Sequence, residues 1–209
     1  MSRSVPKPRV VELFGLPGSG KSHVAGVLAA NEDIERIPQM VSRADMLRGI
    51  TQFPWCALRW LGFLVVETVQ SGEWALMRYR LSLVAHMFGR YARARASGHA
   101  LVLLDEGFLQ RILSVSARRL SPRRVSSLMR GLWPDSVLMV EVQEPQFHRY
   151  GPEHIRSQAS RDGAWKVVMR GNYEAVKAVV RDAGVHHAVV GGETDSATLI
   201  TRLRAMITV

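Results

Sequence analysis

At 209 residues the chain has the length of one domain and can bury a sizeable core without covalent or metal staples. Apolar residues make up 47% and charged residues 22%, the composition of an ordinary globular protein, and the single cysteine, Cys56, excludes an intrachain disulfide framework and makes a reducing compartment the default. The formal charge is +10, and most of it sits between Arg78 and Arg130, where eleven arginines and no lysine face only Asp105 and Glu106.

The N-terminal residues Arg3, Lys7 and Arg9 precede no apolar core, so no targeting signal is evident, and Pro6 and Pro8 read as a flexible lead-in. Val10-Val11-Glu12-Leu13-Phe14 then predicts a strand. It runs straight into Gly15-Leu16-Pro17-Gly18-Ser19-Gly20-Lys21-Ser22, the pattern G-x-x-x-x-G-K-[ST]. Glycines at 15, 18 and 20 let successive amides turn inward as an anion nest, and the helix that follows adds the positive end of its dipole. Lys21 is placed for the β- and γ-phosphates of a nucleoside triphosphate, and the Ser22 hydroxyl for Mg²⁺. Gly15, Pro17, Gly18, Ser19, Gly20 and His23 complete the expected nucleotide-binding set. The helix shows Val24, Val27 and Leu28 on one face and ends near Ala30. The loop resembles the Walker A motif of the P-loop NTPase superfamily, and that resemblance implies a parallel-sheet fold.

A short second strand within Ile34 to Met40 is cut by Pro38, and Arg43 to Ile50 reads as a short helix. In P-loop kinases this region belongs to the phosphoryl-acceptor site, which makes Asp45 a candidate acceptor-binding residue or base beside its plain reading as a solvated helix acid. Pro54 opens a second helical stretch to about Val69. Its apolar run, Trp55 to Val66, is too short to span a bilayer and contains Arg59; contact with a membrane surface through Trp55, Trp60 and Phe63 is a lesser alternative. Beyond Gly72, Trp74, Met77, Leu81, Val84, Phe88 and Tyr91 recur at helical spacing as a core stripe. Arg78, Arg80, Arg90, Arg93 and Arg95 lie off the stripe. Arg78 and Arg80 fall where nucleotide-kinase-like proteins place acceptor-binding arginines, so both are candidate substrate residues.

Ala100 to Leu104 predicts a central strand buried on both faces, ending in Asp105-Glu106. An acid at the carboxyl end of such a strand can hold Mg²⁺, so Asp105 resembles a Walker B residue. Thymidylate kinases and their relatives commonly have Asp-Arg here, whereas many water-activating ATPases have Asp-Glu. Glu106 therefore orients a nucleophile, binds a hydroxyl or cationic part of an unusual acceptor, or pairs with a nearby arginine. Helices follow from Phe108 to Ser116 and from the Ser121-Pro122 cap to Gly131, with Arg118-Arg119 and Arg123-Arg124 beside the junction. Ser136 to Val142 is a fourth strand. The segment from about 149 to 163 matches the arginine-bearing lid of nucleotide-kinase-like proteins in order, with Arg156 and Arg161 as the candidate catalytic arginines and Arg149 beside them. A helix through Val168, Met169, Val176, Val179 and Val180 comes next, then a last strand at His187 to Val190 and a closing helix capped by Thr194 or Asp195.

Taken in order, the elements resemble the nucleoside and nucleotide kinase group of P-loop proteins, closest in layout to thymidylate kinases. The expected architecture is a single three-layer α/β/α P-loop kinase domain over 1–209, with a central mostly parallel sheet, a helical acceptor-binding insertion at about 40–97 and a lid at about 149–163. The implied reaction moves the γ-phosphoryl of ATP to a small acceptor such as a nucleoside or nucleotide, with Lys21, Asp105, Glu106, Arg156 and Arg161 as catalytic residues and Ser22 and Asp105 on Mg²⁺. A sugar, an antibiotic or another specialised metabolite is an alternative acceptor, and an ATPase switch regulating a partner is an alternative function. Nucleic-acid binding rests on the arginine-rich segment alone, and a phosphate-rich cleft explains that charge without a further partner. A cytoplasmic protein without a transmembrane segment is expected, and a homodimer is compatible with the reading.

Overall fold

The computed structural model describes residues 7–30, 33–141, 163–191 and 194–207. Five strands, β1 (Arg9–Phe14), β2 (Ile34–Arg36), β3 (Leu101–Leu104), β4 (Ser136–Glu141) and β5 (His186–Gly191), form one parallel sheet in the order β2-β3-β1-β4-β5. In the register, Val11 lies opposite Leu103 on one side and Ser136 on the other. The carboxyl ends of β1 and β3 therefore emerge side by side.

Alternation along the strands sorts their side chains into two cores. Val11, Leu13, Leu103, Leu138 and Val140 meet α1 (Lys21–Ala29) and α8 (Ser196–Ile207) on one face. Val10, Phe14, Val102, Leu104 and Met139 meet the other face's helices, which include α3 (Pro54–Ser71), α4 (Met77–Arg95), α5 (Phe108–Val115), α6 (Pro122–Met129) and α7 (Gly163–Asp182). The result is the three-layer α/β/α arrangement expected from the sequence, with α2 (Arg43–Gln52), α3 and α4 inserted between β2 and β3. Phe108 is the hub of the larger core, with ring centroids 4.9 Å from Phe88, 5.4 Å from Trp60 and 5.6 Å from Tyr91.

Three expectations are corrected. Trp74 is 62% exposed because it lies in a 3-10 turn, Trp74–Leu76, ahead of α4, so the helical period does not yet apply to it. Arg80 is buried, where its guanidinium reaches Glu73 at 2.6 Å and the Thr68 hydroxyl. Trp60 and Phe63 are core residues and give no membrane contact; only Trp55 of the three faces outward. Among the described residues no helix is long and apolar enough to cross a membrane. The expected lid arginines Arg156 and Arg161, and Arg149 beside them, lie outside the described residues.

α2 (Arg43–Gln52) packs on α4 with backbone against backbone. A Cβ on Gly49 would lie 2.1 Å from the Phe88 carbonyl oxygen, and one on Gly89 would lie 2.9 Å from the Met46 nitrogen. Neither obstacle is a flexible side chain. Gly49→Ala is therefore expected to lower stability by about 1–3 kcal/mol in urea unfolding, whereas Gly26→Ala, at a helical site with open space, stays neutral or gains stability.

Candidate active site

The loop from Gly15 to Gly20 joins β1 to α1 and turns through Gly18 and Gly20, at φ 82° and 85°. Only glycine adopts that region readily. Gly15 is needed for a different reason, since a Cβ there would meet the Val140 carbonyl oxygen at 2.4 Å. Gly20 brings no side chain to cap the start of α1 and its first turn carries no acid, so among the described residues its amides remain donors for an anion. The buried Ser19 hydroxyl has no partner among the described residues. Ser22 and His23 are exposed on the first turn, and Pro17 is half-buried.

Lys21 Nζ lies over the loop, donating to the carbonyls of Gly15 at 2.8 Å and Leu16 at 2.9 Å. Burial pushes its pKa down to about 8, with the charge of Glu106 opposing. The first residue after β3 brings in the second half of the site. Asp105 is buried, and each of its oxygens holds an arginine: Oδ1 accepts from Arg90 at 2.5 Å and Oδ2 from Arg36 at 2.7 Å. Burial alone would raise its pKa, but the hydrogen bonds and charges of Arg36 and Arg90 outweigh it and hold the carboxyl below its usual range. Arg90 also donates to the carbonyls of Ile37 and Glu106, so it clamps the ends of β2 and β3 together. Glu106 pairs with Arg111 at 2.5 Å, one of the three roles the sequence leaves open for it.

Under the loop sits a carboxyl group that the motif does not contain. Glu12, in the middle of β1, is fully buried and accepts from the Gln110 amide at 3.1 Å, at the start of α5. Burial pushes its pKa up to about 8 against several backbone amides that pull it down. Its other oxygen, Oε2, has no partner among the described residues. A Cβ on Gly107 would sit 2.3 Å from this carboxyl group, so the turn after Asp105 is shaped around it. The Gln110 side chain accepts in turn from the Gly15 amide at 3.3 Å. Glu12 and Gln110 thus tie the base of the loop to the turn that carries Glu106.

The remaining candidates lie elsewhere. Asp45 belongs to a capping box with Ser42 at the start of α2, and its carboxylate accepts from the Ser42 hydroxyl at 2.7 Å. Arg78 is exposed on the first turn of α4. Arg80 lies roughly 15 Å along that helix from Arg90 and is engaged with Glu73. Sequence reasoning missed Arg36, Arg90, Glu12 and Gln110. A lone acid inside the apolar run of β1 was the available signal, because a charge placed there needs partners from another part of the chain.

No family model matches the chain, and no curated protein matches it. Among solved structures it is similar to a thymidylate kinase from Candida albicans, at 14% identity and TM-score 0.52 over 97% of this chain and 92% of that one. A deoxyadenosine kinase from M. mycoides with bound dATP matches at 10% identity and TM-score 0.47, over 96% of this chain and all of the other. The likeness to the thymidylate kinase is one of fold, a five-stranded parallel sheet between two layers of helices.

The two shifted groups yield separate tests. If nucleotide phosphates displace the loop carbonyls, the neutral fraction of Lys21 present above pH 8 regains its proton. Calorimetry of nucleotide binding at pH 9 in buffers of different ionisation heat should show uptake of about 0.5–1 proton, absent at pH 7 and absent in Lys21→Arg, whose guanidinium stays charged. Glu12 ordinarily titrates at 4.5; between there and about 8 the folded state keeps a proton that the unfolded chain has released. Its contribution to stability therefore falls as pH rises through that window and then levels. Glu12→Gln should flatten this slope in denaturant titrations at pH 5 and pH 8.

Proposed function

We propose that this chain is an ATP-dependent phosphotransferase that moves the γ-phosphoryl group to a small acceptor, with a nucleoside or nucleotide as the first class to test. The observation that carries the reading is a single junction: a phosphate-type loop with its lysine, and a buried ionised aspartate, at the adjoining ends of β1 and β3. The name of one structural neighbour, a thymidylate kinase, supports the acceptor class.

On nucleotide binding, Lys21 exchanges the carbonyls of Gly15 and Leu16 for β- and γ-phosphate oxygens, and the loop and first-turn amides add donors that are already oriented. The exposed Ser22 hydroxyl and the anionic Asp105 are hard oxygen donors that fit Mg²⁺ and would hold it. When bound, the ion supplies charge neutralisation at the β- and γ-oxygens. Arg90, almost wholly buried, fixes Asp105. Arg36, with 37% of its side chain exposed, can turn from Asp105 toward an anionic group on the acceptor. Arg156 and Arg161 would close the cage from the proposed lid, and acceptor contacts of Asp45 and Arg78 stay within this proposal. The lone cysteine fits a reducing compartment, so we place the protein in the cytoplasm.

An ATPase switch is the rival reading, and Glu106 discriminates: to activate water its carboxylate must leave Arg111. A screen with labelled ATP against nucleosides, nucleotides, sugars and antibiotics is the deciding experiment. ATP turnover should be slow alone and rise about 100-fold or more with the right acceptor, and Lys21→Ala should remove about 1,000-fold of it. Glu106→Gln should keep acceptor-dependent transfer within about tenfold. Turnover indifferent to every acceptor, and lost in Glu106→Gln with ATP still bound, would instead establish the ATPase.

A further inference from the structure

The carboxyl of Glu12 caps a helix that has no cap of its own. α5 begins at Phe108 after Gly107, which brings no side chain to its first amides. Glu12, reaching across from β1, accepts from the Gln110 amide at 3.1 Å, and the amides of Gly107 and Leu109 are also turned toward it. An acceptor that satisfies the orphan amides of a helix start fixes where that helix begins. In this chain it also fixes the turn just before, which carries Asp105 and Glu106.

Gln110 carries that position into the phosphate-type loop. Its main-chain N–H is held by Glu12, while its side-chain Oε1 accepts from the Gly15 amide at 3.3 Å. Gly15 in turn offers its carbonyl to Lys21 Nζ at 2.8 Å. A Cβ on Gly15 would already meet the Val140 carbonyl oxygen at 2.4 Å, so the residue has no slack on its other side. On the far side of the turn, Arg90 holds both the Asp105 carboxylate and the Glu106 carbonyl. An unbroken series of contacts thus runs from Asp105 and Glu106, through Glu12, Gln110 and Gly15, to the ammonium group of Lys21. Glu12 and Gln110 are both buried, and a close-packed interior passes a displacement on rather than absorbing it. A cap for α5 alone needs neither the Gln110 side chain nor its bond to Gly15. That bond makes a link between the two halves of the site out of a structural carboxyl.

We propose that Glu12 and Gln110 are positioning residues that couple the two halves of the site, so that the seating of the Asp105–Glu106 turn sets how rigidly the phosphate-type loop is held for a nucleotide. The nucleotide rests on the function proposed above; the coupling of loop to turn does not.

Gln110→Met keeps the length and helix propensity of the side chain and removes its polar atoms. Hydrogen exchange of the loop amides from Gly18 to Lys21 should then rise about tenfold, with the strands and the melting temperature little changed. Calorimetry with Mg·ATP should show binding about tenfold weaker. Glu12→Gln, which retains an acceptor oxygen for the Gln110 amide, should stay within about threefold of the wild type in both readouts, whereas Glu12→Ala should lose at least as much as Gln110→Met. Gly107 supplies a second test, because its φ of −123° suits any residue and only the Glu12 carboxyl, 2.3 Å from where a Cβ would stand, obstructs one. Gly107→Ala should loosen the loop in the wild type and add nothing once Glu12→Ala has removed the obstacle. Should Glu12→Ala fail to fold, Gln110→Met decides alone. Loop exchange and Mg·ATP affinity unchanged in Gln110→Met, or effects of Gly107→Ala and Glu12→Ala that simply add, would overturn the coupling. A wild type that binds no Mg·ATP, with loop exchange still raised by Gln110→Met, would uphold the coupling and remove the proposed function instead.

Discussion

A carboxylate removed from water needs cations, and at the end of β3 that need is met twice. Asp105 keeps its charge because Arg36 and Arg90 hold one oxygen each, and those arginines come from β2 and α4. The acid therefore acts as a rivet as well as a candidate ligand. It joins the edge of the sheet, the helical insertion and the phosphate-type loop at one point. Removing one guanidinium would leave a buried pair broken, which costs far more than an exposed ion pair contributes.

The same accounting changes the meaning of the arginine-rich segment. Of the eleven arginines between Arg78 and Arg130, five are paired with acids among the described residues: Arg80 with Glu73, Arg90 with Asp105, Arg95 with Asp135, Arg111 with Glu106 and Arg118 with Glu67. Three of those acids, Glu73, Asp135 and Glu67, lie outside the segment, so the fold offsets three of its nine excess positive charges. Arg124 lies over the Phe63 ring instead.

How much of this was legible in the sequence follows from how local each signal is. The glycine-lysine-serine loop, the strand before it and the buried run ending at Asp105 depend on neighbours a few residues away, and they stand where the sequence places them. Arg90 was read as lying off the core stripe, yet it is among the most buried residues, because its partner is fifteen positions away on another element. Arg80 misled in the same way through Glu73. Asp45, a candidate acceptor residue, also completes the helix cap that the Ser42-x-x-Asp45 spacing spells. Glu12 was visible as an acid in an apolar strand, but its reason, the start of α5 nearly a hundred residues later, was not.

The contact of Gly49 with the α4 backbone bears on how such a fold could diverge. Where main chain touches main chain, no side chain remains through which the spacing of α2 and α4 can be adjusted. Drift can repaint the outward surfaces of these two helices, but their separation is a constant of the scaffold. Substitutions there change what the two helices present to their surroundings and leave the distance between them alone.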